Sequence, residues 1–96
     1  MRTMIRIKVP VETGNRAIKD GTLPKTFMEA LERLKPEAAY FLPEQGIRTA
    51  IMVVDLKDPS EMPVIAEPFF SRLDAAVEFL PVMNAEDLKK GLAKIG

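Results

Sequence analysis

The sequence contains no cysteine and no histidine. The lack of cysteine excludes disulfides and thiolate chemistry. The lack of histidine removes the commonest general base, the commonest metal ligand and the usual haem ligand. We therefore expect neither a metal site nor a cofactor, and most enzyme mechanisms are excluded.

Charge of one sign is not in excess either, because 14 Lys and Arg residues balance 14 Asp and Glu residues. The basic residues are scattered, and their longest run is Lys89-Lys90. A nucleic-acid interface needs basic residues concentrated on one face, so we expect no nucleic-acid partner.

Long apolar runs are also lacking. No stretch reaches the roughly 18 apolar residues of a membrane-spanning helix. The first residues lead directly into a strand pattern that contains charges, rather than into the apolar core of a signal peptide. We expect a cytoplasmic protein without a membrane partner.

What the sequence does contain suits one domain over residues 1–96, with 47% hydrophobic and 29% charged residues. The clearest pattern is a strand over residues 46–56 that is largely apolar on both alternating sets of positions. One set is Ile47, Thr49, Ile51 and Val53, and the other is Ala50, Met52, Val54 and Leu56. Because a small chain cannot cover both faces of a sheet, we expect a homodimer through the sheet face. Ala50→Asp or Met52→Asp is then expected to split or unfold the dimer.

Hydrophobic periodicity predicts three further strands and four helices. The predicted strands cover residues 3–11, 37–43 and 77–83. The predicted helices cover residues 12–20, a segment from a Thr22 N-cap to a stop at Pro36, residues 59–73, and a last helix that opens at residues 84–87 and carries Leu88, Leu92 and Ile95 on one side. On the outer face of the predicted helix that follows Thr22, Lys25, Glu29 and Arg33 stand four residues apart and can pair.

The helix ends and the glycines carry their own predictions. Residues 58–61 have the form of a capping box with Asp58 as N-cap. Pro63 and Pro68 each remove a backbone donor, so this helix is predicted to be kinked or split. Gly14 and Gly21 are interpreted as turn glycines, since their spacing does not form a phosphate loop.

The predicted order matches a ferredoxin-like βαββαβ fold with an extra C-terminal helix. This α+β fold has a four-stranded antiparallel sheet with helices on one face and the other face bare. The bare face would pair with that of a second protomer.

Several segments resemble a small bacterial domain family of unknown function in the dimeric α+β barrel superfamily. They are VETGN (11–15), DGTL (20–23), LKPEAAYF (34–41), IAEPFF (65–70), VEF (77–79) and PVM (81–83). The resemblance implies a ferredoxin-like protomer that pairs sheet to sheet with a second copy, and it carries over no catalytic residues. The wider superfamily includes muconolactone isomerases, antibiotic-biosynthesis monooxygenases and haem-degrading enzymes. The missing histidine argues against the haem branch.

A candidate ligand site consists of Arg6, Lys8, Tyr40 and Glu78. Arg6 and Lys8 share one face of the first strand, Glu78 is expected opposite them, and Tyr40 lies on the same sheet. Together they could hold an organic anion through charge-assisted hydrogen bonds, with an apolar lining from Met52 or Leu80. Alternatively, Arg6, Lys8 and Glu78 form a structural charge ladder or face solvent, and Tyr40 is a core or interface aromatic residue.

The sequence favours a homodimeric protein that binds a small hydrophobic or anionic molecule in the barrel cleft, or that serves as an interaction domain. The alternative is an enzyme without metal or haem, of the isomerase or monooxygenase kind, that acts next to a carbonyl. In the isomerase-like case Glu78 would be the general base, Arg6 or Lys8 would stabilise the enolate, and Tyr40 would donate a proton. No pattern identifies a catalytic residue by itself.

Overall fold

The computed structural model describes all 96 residues and has an α+β fold with four strands and four helices. The strands are β1 (Arg2–Val9), β2 (Ala38–Glu44), β3 (Ile47–Asp55) and β4 (Ala76–Pro81). The helices are α1 (Val11–Asp20), α2 (Thr22–Leu34), α3 (Glu61–Leu73) and α4 (Ala85–Ala93). Each predicted element is present, with ends that differ by one or two residues from the predicted ones.

The strands form one antiparallel sheet in the order β2-β3-β1-β4. This is the predicted ferredoxin-like arrangement, in which the first and third strands are central. The two outer strands, β2 and β4, are at opposite edges of the sheet. Two helices, α1 and α2, fill the first crossover, and α3 fills the second.

Helices α1, α2 and α3 pack on one face of the sheet, which we call the covered face. Alternate residues of β1 point into it, including the fully buried Ile5 and Ile7. They meet Phe69 and Leu73 of α3, which are also fully buried. The opposite face carries no helix, and we call it the uncovered face.

The side chains of β3 alternate as predicted, but the sequence did not show which of its two alternating sets faces the helices. Ala50 and Met52 point into the helix-packed core, where their exposed fractions are 1% and 0%. Ile51 and Val53 lie on the uncovered face and are half-buried. The prediction that Ala50 or Met52 contributes to a sheet-face interface is therefore wrong, because both side chains are already covered by this chain's own helices.

The turns show where glycine is required. The β2–β3 hairpin turns at Gln45 and Gly46, which have φ angles of 53° and 78°. Positive φ at both central positions is typical of the type I′ turn, whose twist matches that of the strands. Gly21, with a φ of 82°, separates α1 from α2, as predicted. Gly14 is instead inside α1, where a Cβ atom would lie 2.7 Å from Nη1 of Arg48.

Two of the predicted helix starts differ from the structure. The N-cap of α2 is Gly21 rather than Thr22, and the side chain of Asp20 accepts a hydrogen bond from the Thr22 backbone nitrogen at 2.9 Å. At α3, residues 59 and 60 form a turn and the N-cap is Ser60 rather than Asp58. One hydrogen bond of the predicted capping box is present. The Glu61 side chain turns back toward Asp58, and its Oε1 accepts a hydrogen bond from the Asp58 backbone nitrogen at 3.0 Å.

Helix α3 runs unbroken from Glu61 to Leu73, so it is not split at its prolines. Pro63 lies in the first turn, where a backbone donor has no partner inside the helix anyway. Pro68 lies inside the helix, which continues past the missing donor. On α2, Glu29 pairs with Arg72 of α3 at 2.9 Å and not with its own helix neighbours Lys25 and Arg33.

Helix α4 begins as predicted but does not pack on the core. Asn84 is the N-cap, and with Asp87 it forms a complete capping box. No residue of α4 is buried, and the predicted stripe of Leu88, Leu92 and Ile95 is 45%, 56% and 79% exposed. The longest helices of the chain have 13 residues, and none is long and apolar enough to cross a bilayer.

Candidate functional site

The four predicted site residues all lie on the uncovered face. Three of them form one row across the sheet, because Arg6 is paired with Glu78 on β4 and with Ile51 on β3, which is in turn paired with Tyr40 on β2. Lys8 follows Arg6 two residues along β1 and therefore projects from the same face. The structure thus places on one face all four residues, of which the sequence had assigned a common face only to Arg6 and Lys8.

The carboxylate nearest to the two cations is Glu44, which lies just beyond the predicted strand over residues 37–43. Its Oε1 lies 3.2 Å from Lys8 Nζ and 3.7 Å from Arg6 Nε. Glu44 is the last residue of β2 and follows Tyr40 by four positions, so it projects from the same face. Extending the alternation of β2 by one residue would have identified it.

Glu78 takes no part in the ion pairs of this face. It is directly opposite Arg6 in the β1–β4 register, but its side chain is exposed and takes part in no ion pair. Tyr40 is exposed as well, and is not a core residue of the protomer. The charge ladder of this face therefore runs from Arg6 and Lys8 toward β2, not toward β4.

The pairing at Glu44 is incomplete. Arg6 Nε and Glu44 Oε1 are both shielded from solvent, and neither has a hydrogen-bond partner. Their separation of 3.7 Å exceeds the length of a hydrogen bond. Glu44 Oε1 is ion-paired with Lys8 Nζ at 3.2 Å, but the N–H of Arg6 Nε has no acceptor, although buried polar groups in proteins are normally hydrogen-bonded.

The charged residues are surrounded by apolar side chains. The half-buried apolar residues of the uncovered face are Met4, Ala38, Ile47, Ile51, Val53 and Leu80. Leu80 thus lines the face as predicted, whereas Met52 belongs to the core and does not. The site combines a small cluster of charges with an apolar floor, which is the usual composition of a small-molecule site.

Arg2 lies on the same face at the start of β1 but is held by other contacts. Its Nε donates to Glu37 at 2.8 Å and its Nη1 donates to Asp87 at 2.9 Å. The hydrogen bond to Glu37 is the main cause that raises the pKa of the Arg2 guanidinium, and Asp87 adds to it. Arg2 therefore links β1 to the start of α4 and is not free to bind a ligand.

Across the whole chain, no group of three or more carboxylates lies close enough together to hold a metal ion. No protein family model matches the chain, and no curated protein matches it in sequence.

Proposed function

We propose that the protein is a homodimer that binds a small anionic molecule with an apolar body against the uncovered face of its sheet. The observation that carries this proposal is that Arg6 Nε is shielded from solvent without a hydrogen-bond partner, while the nearby Glu44 Oε1 is held only by its ion pair with Lys8 Nζ at 3.2 Å. A bound carboxylate would accept from Arg6 and Lys8, and a hydroxyl or protonated group on the same molecule would donate to Glu44.

The second copy supplies the missing wall. The uncovered face carries Ile51, Val53 and Leu80, and an apolar sheet face is stabilised by removal from water. Two such faces packed together would enclose the charged cluster and lower the local dielectric constant. Charge-assisted hydrogen bonds to a ligand are stronger in such surroundings.

The geometry favours binding over the isomerase-like reaction. A general base must lie beside a cation in a closed pocket, and the predicted base Glu78 is exposed and outside the ion pairs of the cluster. The carboxylate that does lie beside the cations is Glu44.

A panel of small carboxylates, tested by thermal unfolding, examines this proposal. A ligand at ten times its Kd is expected to raise Tm by about 6–11 °C in a domain of this size. Arg6→Met should abolish the shift and leave the free protein folded, since methionine keeps an apolar stem and removes the cation.

The matched control is Arg33→Met, which removes an exposed arginine of α2 and should keep the full shift. A panel without any shift, or a shift that survives in Arg6→Met, would contradict the ligand site. Comparing carboxylates with and without a neighbouring hydroxyl would test the part assigned to Glu44.

A further inference from the structure

An apolar groove of about 520 Å³ lies on the covered face, between α2 and the edge strand β2, and we call it the α2–β2 groove. Its apolar walls are Leu23, Phe27, Met28 and Leu31 of α2 and Phe41 and Leu42 of β2. This volume and a largely apolar lining are typical of small-molecule sites. A dimer formed through the uncovered face leaves the groove open, because the groove is on the opposite side of the sheet.

The walls of the groove are held in place within the protomer. Phe41 is paired with Ala50, which points into the core, so Phe41 also lies on the covered face. Its ring makes an edge-to-face contact with Phe27, with ring centroids 5.8 Å apart. Phe41 and Met28 are nevertheless 56% and 64% exposed. Exposed apolar side chains gathered around a concave surface indicate a binding site.

Arg48 is the only charged residue that lines the groove. It is the second residue of β3 and lies at the hairpin end of the groove. No carboxylate of the chain forms an ion pair with it. Its Nη1 donates to Asn15 Oδ1 of α1 at 3.1 Å, and its Nε and Nη2 have no partner within the protein. These two nitrogens are the donors with which a guanidinium binds a carboxylate through two parallel hydrogen bonds.

Two neighbouring residues of α1 position this guanidinium. Asn15 accepts its hydrogen bond, and Gly14 leaves the space that it occupies, since a Cβ atom at Gly14 would lie 2.7 Å from Nη1 and 3.3 Å from Cδ of Arg48. Glycine inside a helix is less favourable than alanine. Gly14 therefore has a reason to be glycine other than the stability of α1, namely the close approach of Arg48.

We propose that the α2–β2 groove binds a monocarboxylate with an unbranched apolar chain, the carboxylate on Arg48 and the chain along α2. The apolar residues of α2 from Leu23 to Leu31 span about 12 Å of helix, which roughly matches an extended chain of eight to ten carbons. The charge selects the head group, because a cationic amphiphile would be repelled by Arg48. This site is separate from the one proposed on the uncovered face.

Calorimetric titration with hexanoate, octanoate and decanoate tests the apolar part of the proposal. Each added methylene should lower Kd about fourfold, since each buries further apolar surface. Decylamine, which is a cation at neutral pH, should bind at least about tenfold more weakly than decanoate. A Kd that does not depend on chain length, or equal affinities for decylamine and decanoate, would overturn the proposal.

Two substitutions test the part assigned to the guanidinium. Arg48→Met should raise the Kd of decanoate at least about tenfold, because the charge-assisted hydrogen bonds are lost. Gly14→Ala should raise it about threefold or more by displacing the guanidinium, and alanine inside a helix keeps the chain folded.

Each of these variants has a matched control. Arg33→Met removes an exposed arginine that does not line the groove. Gly91→Ala adds a Cβ atom that meets nothing within 4 Å inside another helix. Both controls should keep the Kd of the wild type. An unchanged Kd in Arg48→Met would overturn the proposal.

Methionine methyl NMR locates the ligand independently of the variants. Met28 lies in the groove and Met4 lies on the uncovered face. Decanoate should shift the methyl resonance of Met28 and leave that of Met4 unchanged, in the wild type and in Arg6→Met alike. A shift of Met4 alone would overturn the groove site in favour of the uncovered face. A shift of Met28 with protein concentration and no ligand would overturn it in favour of a second copy of the chain. A failure of the site at Arg6 leaves the Met28 shift intact, so the two proposals fail separately.

Discussion

Lys8 of β1 and Glu44 of β2 form an ion pair across β3, with Nζ and Oε1 separated by 3.2 Å. Glu44 also lies nearest to Arg6, so one carboxylate faces two cations on the uncovered face. All three side chains are half-buried. The ion pair joins the edge strand β2 to the central strand β1 and holds the charged side chains of the candidate site in place.

Glu44→Gln should therefore destabilise the protein by about 1 kcal/mol, because Lys8 and Arg6 would be left facing each other without a counter-charge. Glu78→Gln is the control, since Glu78 takes part in no ion pair, and it should change the free energy of unfolding by less than about 0.5 kcal/mol. Urea unfolding measures both. Equal losses would indicate that Arg6 is paired with Glu78 in solution instead.

Substitutions at adjacent positions of β3 should separate assembly from folding. Ile51→Asp places a charge on the uncovered face and should convert a dimer into a folded monomer of 10.7 kDa, measured by light scattering. Met52→Asp buries an unpaired charge in the core and should unfold the chain. A wild-type protein that is already monomeric at micromolar concentration would rule out the sheet-face dimer.

The two neighbouring phenylalanines of α3 should differ strongly in their contribution to stability. Phe69 is 0% exposed and packs at 5.2 Å from the ring of Phe27, whereas Phe70 is 42% exposed. Phe69→Ala should cost about 3–5 kcal/mol because it leaves a cavity in the core. Phe70→Ala should cost clearly less. A similar cost for both, in chemical denaturation, would mean that Phe70 is covered in the assembled protein.

The stability of the fold should decrease at acidic pH through Asp55. The hydrogen bond from Lys57 Nζ at 2.7 Å is the main cause that lowers the pKa of Asp55 from 3.8 to about 2, and the amino group of Met1 at 3.0 Å adds to it. Because the folded pKa is below the ordinary value, this stabilisation is present above pH 3.8 and is lost as the pH falls through about 2. An NMR titration should show Lys57→Met raising the pKa of Asp55, and an unshifted Asp55 in the wild type would refute the assignment.

Binding to nucleic acid should be weak and nonspecific. Arg2, Lys8 and Arg72 each lie within 3.2 Å of a carboxylate, so their charges are already neutralised by the protein. Fluorescence anisotropy with duplex and single-stranded DNA at physiological salt should give no submicromolar affinity. A submicromolar Kd with a steep salt dependence would show that these pairs open to bind phosphates.

The sequence alone was enough for the order of the elements and for which side chains of one strand share a face. Side-chain alternation in β1 and β3 and the stops at Gly21 and Pro36 are local properties, and local spacing determines which residues share a face. The common face of Arg6 and Lys8 followed from this alternation, whereas the register between strands was needed to place Glu78 and Tyr40 on that face. The helix starts at Thr22 and Asp58 were wrong by one or two residues, because several neighbouring side chains there compete for the same backbone donors.

Only the tertiary structure decided which apolar face of β3 the helices cover. Both faces of the strand have similar hydrophobicity, so the pattern is symmetric, and the packing of Phe69 against Met52's side of the sheet breaks the symmetry. The tertiary structure also decided which carboxylate pairs with Arg6 and Lys8. Glu78 is the closer residue by register, but the long side chain of Glu44 reaches across β3 to the cations. Such a contact depends on side-chain direction in the folded sheet, which local spacing does not contain.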